Sequence, residues 1–212
     1  MNLPKLAITA AISAFALVAV APFAHADVTS TTAGTWAKAA QALGQGGSLW
    51  APSYTAGLKQ AGSIEILVGK PLQQFGNGAI ATYKLGKKQM QVYENWATNQ
   101  SAVDPSPSIT RVLVGNPTIK LGGPDTPIAI KTQVSADCYQ KAVTQKNPPP
   151  PPTALRCKEA DVAKYGGELR MTAKPSNTMS SPGNTDVVIQ VSPGVSYQQL
   201  LKIASNLQQV GG

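Results

Sequence analysis

Imidazole is all but missing from this 212-residue chain, whose one histidine, His25, lies near the N-terminus in a stretch that reads as a leader. If that leader is removed, Ser-His-Asp catalysis, Cys-His catalysis and every histidine-ligated metal site are excluded together. Thiols are scarce too, with Cys138 and Cys157 the only two. No D-x-D array suggests calcium, and neither a P-loop nor a dinucleotide fingerprint occurs. The S-x-x-K pairing of a serine nucleophile is also missing; its nearest spacing, Thr35 to Lys38, falls in a predicted helix, where an exposed lysine is the simpler reading. The 10 carboxylates are scattered along the chain. Glu65, Glu94 and Glu168 sit in predicted strands, and acid–base chemistry would need them to converge; solvated or cross-strand partners are the default. No internal repeat or heptad array is present. These absences favour a non-enzymatic protein and imply no cofactor and no metal.

What is present begins with an export signal. Met1 to Lys5 carries the amine and a lysine, Leu6 to Val20 is apolar apart from Thr9 and Ser13, and Ala24-His25-Ala26 closes the segment. This predicts a secretory signal peptide over 1–26, cleaved after Ala26, and hence no stable membrane span in the mature protein. The location expected is secreted or extracytoplasmic, in the cell envelope. Only Lys5 among the 18 basic residues is lost with the leader, so 17 bases face 10 acids and the mature chain carries +7. A basic exported protein meets anionic lipid, an anionic envelope polymer or an acidic envelope protein, although solubility alone also accounts for such a charge. Nucleic acid is not expected, because the chain is exported and carries no recognised module for it.

Residues 27–34 have the small, polar composition of a flexible start, and 35–212 read as a single domain. Trp36, Ala39, Ala40 and Leu43 fall on one helical face between Thr35 and Gly44, predicting a capped helix. Tyr54, Leu58 and Ala61 predict a second, weaker helix, with Gly57 against it. From Ser63 the period changes to two, through "SIEILVGKPL", "GAIATYKLG" and "KKQMQVYENW", with Gly86-Lys87 suited to a tight hairpin. "ITRVLVG", "TIKLGG" and "TPIAIKTQVS" alternate again, "KEADVAKYGG" reads as a short helix, and "ELRMTAKP" and "TDVVIQVS" supply two more strands. Ser196 with Gln199, flanked by Val195 and Leu200, is a capping box with a hydrophobic staple, predicting a helix through "VSYQQLLKIASNLQQV".

In an oxidising compartment two cysteines pair, and Cys138 with Cys157 closes a loop of about 19 residues, worth roughly 3 kcal/mol. Within it Pro148, Pro149, Pro150, Pro151 and Pro152 cannot donate backbone hydrogen bonds and favour an extended rod, which puts them in a projecting surface loop. The rod serves either as a spacer or as a surface for a partner. On the strands Arg111, Lys120, Lys131, Arg170 and Lys174 alternate with apolar neighbours. If the sheet gathers them, one face is basic and suited to phosphate or carboxylate head groups; otherwise they are a solvated face. Phe75, Tyr83, Tyr93, Trp96, Trp36 and Trp50 read as core. The Asn99-Gln100-Ser101 sequon lies in a predicted loop.

The segment Asp186 to Val210, a strand followed by Ser196, Leu200, Leu201, Ile203, Ala204 and Leu207, resembles the C-terminus of bacterial envelope proteins related to lipoprotein carriers and sigma-factor regulators. The resemblance implies a curved antiparallel sheet holding helices, with a groove for acyl chains or a surface for a regulatory partner. No functional residue of the family is matched. The expectation is therefore an α+β fold: an antiparallel sheet of about six to eight strands, N- and C-terminal helices packed on one side, and one disulfide. Its function is expected to be binding an amphiphilic or anionic ligand in the envelope, or else protein–protein interaction through the stapled proline loop, as an inhibitor, sensor or assembly factor.

Overall fold

The computed structural model describes residues 29–44, 49–68, 77–96, 111–121, 129–139, 155–174 and 184–210. The predicted leader, the five prolines Pro148 to Pro152 and the sequon at Asn99 lie outside these ranges.

Thr35 begins the first helix, α1 (Trp36–Leu43), its hydroxyl accepting from the Lys38 amide, and Gly44 ends it at positive φ. The side chains expected on the apolar face, Trp36, Ala39, Ala40 and Leu43, are the ones buried. The hairpin is also as expected: β5 (Asn77–Leu85) and β6 (Lys88–Trp96) are joined across Gly86, whose φ of 58° suits a turn that follows the twist of its strands. Close packing in this hairpin fixes Gly78, since a Cβ there would stand 2.3 Å from the Glu94 carbonyl oxygen. Further along come β7 (Val112–Gly115), β8 (Ile130–Ala136), α2 (Ala160–Tyr165), β9 (Gly167–Ala173), β10 (Thr185–Val191) and α3 (Tyr197–Ser205).

Three segments and the size of the sheet depart from expectation. Residues 29–33, read as flexible, form β1 (Thr29–Ala33), paired with β4 (Ile64–Val68). The predicted second helix is absent: Ala56 and Gly57 both take positive φ, which a right-handed helix cannot hold, and a two-residue strand β3 (Lys59–Gln60) follows. The last helix stops at Ser205, and Leu207–Val210 form β11, paired with β2 (Leu49–Pro52). The main sheet is also larger than the expected six to eight strands. It has nine, in the order β1-β4-β5-β6-β10-β9-β8-β7 with β3 on β5, and all its pairings are antiparallel.

Three contacts show where the helices lie. Trp36 of α1 donates its indole N–H to the Tyr83 hydroxyl at 2.7 Å. Val162 of α2 lies 3.3 Å from where a Cβ on Gly167 would stand, and the Tyr197 hydroxyl of α3 lies 2.8 Å from the corresponding point on Gly115. Directly opposed residues of an antiparallel sheet share a face, and alternate residues along a strand do too. Tyr83, Gly167 and Gly115 therefore belong to the face that carries Met90, Val92, Leu169, Val134, Val187 and Ile189, all fully buried. The three helices among the described residues cover that inner face, and the β2–β11 ribbon joins them. The disulfide Cys138–Cys157 is formed just beyond β8, with Cys138 buried at the margin of the core.

Candidate functional site

The inner face is filled. Leu49, Ile64, Ile66, Met90, Leu200, Ile203 and Leu207 interlock there with essentially no exposed surface. The opposite face is where side chains meet solvent.

Strand register writes that outer face as rows. One row runs Glu65, Ile80, Tyr93, Val188, Arg170, Gln133 across β4, β5, β6, β10, β9 and β8. Its middle is apolar and aromatic, Glu65 closes one end and Arg170 with Gln133 the other, and Ile80, Tyr93, Val188, Arg170 and Gln133 are all half-buried. Burial raises the Tyr93 phenol from its ordinary value, so it is neutral at physiological pH. The neighbouring row is Thr82, Gln91, Gln190, Glu168, Ser135 and Leu113, polar except at its exposed end.

Glu168 is the hub of this second row. It is 3% exposed, accepts from both Arg111 and Arg170, and takes a further hydrogen bond from the Gln190 amide at 2.9 Å. Arg111 also grips Asp137 at 2.7 Å, the residue before Cys138, so the root of the stapled loop is tied to the outer face. Burial lowers the Arg170 pKa from its ordinary value, but a guanidinium stays charged. The sheet thus gathers two of the five expected basic residues, Arg111 and Arg170, and gathers them around acids that neutralise them. The other three are exposed: Lys120 beyond β7, Lys131 at the register shift of β8 with φ 50°, and Lys174 after β9.

Glu94 has a different setting. It is fully buried on the inner face, opposite Val187, and its Oε2 accepts from the Trp50 backbone amide at 2.8 Å. Among the described residues Oε1 has no hydrogen-bond partner, and neither does the Trp50 indole nitrogen. Burial drives the Glu94 pKa well above the ordinary carboxyl value, against the smaller opposite pull of that hydrogen bond.

The carboxylates expected as possible acid–base partners do not converge. Glu168 opposes Gln190, which opposes Gln91, three residues from Glu94; an odd offset puts Glu94 and Glu168 on opposite faces. Among the described residues no group of three or more His, Cys, Asp and Glu could hold a metal ion, and no helix is long and apolar enough to cross a membrane. Tyr93, expected in the core, lies instead on the outer face; its one-residue offset from the inward Val92 and Glu94 is visible only once the face of β6 is known.

Fold and site together define an α+β domain with a buried apolar inner face, a disulfide and an open, mixed sheet face. No protein-family model, no curated protein and no solved structure matches the chain.

Proposed function

We propose that this protein is an exported, non-enzymatic interaction module of the cell envelope that presents the outer face of its sheet to a protein partner. The reading is carried by the row Ile80, Tyr93, Val188 flanked by Glu65 and Arg170, set against an inner face lined by fully buried apolar side chains. Ile80, Tyr93 and Val188 stand on three adjacent strands, about 10 Å across, which suits an apolar protein patch. A small anionic head group suits it less, since the arginines there are already paired with Glu168 and Asp137. The disulfide supports an oxidising location. The Arg111–Asp137 contact ties the root of the stapled loop to the same face.

The test is chemical cross-linking in native envelope, comparing wild type with Tyr93→Ala plus Val188→Lys, each shown folded by its thermal transition. A specific cross-linked protein lost in the double variant supports the reading. A partner retained by it, or binding only to anionic vesicles that fades above about 0.15 M salt, points instead to a ligand elsewhere on the molecule.

A further inference from the structure

The β2–β11 ribbon is held to the main sheet through an unusual joint. Pairing with β11 satisfies one edge of β2, and its other edge is buried, where an unpaired amide is costly. The Trp50 amide on that edge is satisfied by a single acceptor, the Glu94 carboxyl on the facing sheet. The ribbon and the sheet are separate hydrogen-bonded units, so this contact crosses an interface between two bodies.

We propose that Glu94 is a proton-operated latch: with its carboxyl neutral the ribbon stays docked, and loss of the proton releases the ribbon before the rest of the domain opens. Among the described residues no cation is paired with an anion at this position. From β5 the residue opposite Glu94 is Ala79, and the titratable group within electrostatic reach is Tyr83, itself bound to Trp36. From β10 the opposed residue is Val187 and from β2 the contact is the Trp50 amide, within a core in which Leu49, Leu207, Trp36, Leu200 and Ile203 are all buried. Among the described residues the charged groups of these elements are turned away: Lys38, Lys84, Lys88 and Lys202 are exposed, and Asp186 lies on the outer face. A buried, uncompensated charge finds relief through the smallest motion that brings in water. Lifting a ribbon of two four-residue strands keeps its own pairing intact, whereas relief from the other side would break the β6–β10 and β5–β6 ladders.

Hydrogen exchange on the full exported chain tests this, with protection factors corrected for intrinsic rates from pH 5 to pH 9. The amides of Trp50 and the ribbon should lose protection about tenfold or more relative to those of β10, and Glu94→Gln, which keeps an acceptor for Trp50, should remove the loss. Tyr83→Phe should leave the wild-type profile in place, and it decides the matter alone if the glutamine variant does not fold. Ribbon protection that is independent of pH overturns the proposal. So does loss in step with β10, an unchanged profile in Glu94→Gln, or a profile abolished by Tyr83→Phe.

Discussion

Glu94 and Glu168 are both removed from water on the same sheet, yet their surroundings assign them opposite chemistry. Glu168 has two guanidinium groups and an amide around it, so its charge is matched where it stands. Replacing it by alanine leaves Arg111 and Arg170 facing each other without their shared acid, and should cost about 2–3 kcal/mol in urea unfolding, with Glu168→Gln recovering part of that through its remaining acceptor. Glu94 has only the Trp50 amide, and its pKa is raised by burial. The folded protein therefore keeps a proton there that the unfolded chain releases. Stability should be full below the ordinary carboxyl value of 4.5 and fall as pH rises, up to about 1.4 kcal/mol per pH unit, until the folded pKa is reached. Urea midpoints of wild type and Glu94→Gln between pH 4 and pH 9 check this: the wild-type curve should descend relative to that of the variant.

Elements whose signals are local were legible in the sequence, and elements built from distant pairings were not. The capping box of α3 is complete, with the Ser196 hydroxyl accepting from the Gln199 amide and the Gln199 side chain accepting from the Ser196 amide. Ser196→Ala should therefore cost about 1–2 kcal/mol, and Thr35→Ala, which loses one longer bond at an exposed helix start, about half as much, both read from thermal transitions. Strand β10 alternates strictly between buried and half-buried positions, which is why it was legible. Its inner Ile189→Ala should cost about 2–4 kcal/mol and its outer neighbour Val188→Ala less than about 1 kcal/mol, a contrast that checks the assignment of faces. The ribbon was missed because its strands have four residues each and pair across more than 150 positions, and because Leu207 fits the helical period of Leu200, Ile203 and Ala204 equally well. Strand β1 was missed because a threonine-rich stretch is a strand only when β4 offers it an edge. The outer row was invisible for the same reason: Ile80, Tyr93 and Val188 are neighbours by register alone.

At the scale of the whole molecule, the β6–β10 ladder joins the strands of the first half, β1 and β3 to β6, to those of the second, β7 to β10. The stapled loop hangs from the second half, between β8 and α2, with Asp137 and Cys138 at one foot and Cys157 at the other. The disulfide and the Arg111–Asp137 pair act on this same foot, but by different means. The disulfide restricts the unfolded chain over a span of 19 residues, whereas the ion pair, only partly buried, holds the folded geometry. Cys138→Ala with Cys157→Ala should accordingly lower stability by about 3 kcal/mol, and Asp137→Asn by well under about 1 kcal/mol. If the proline rod serves the partner, the double cysteine variant should lose partner cross-linking while it is still folded, because an unstapled loop must be ordered again on binding. Replacing Pro148 to Pro152 with Gly/Ser of equal length should cause the same loss with the disulfide intact. Should both variants retain the partner at wild-type yield, the rod is a spacer, and the outer row of the sheet carries the interaction by itself.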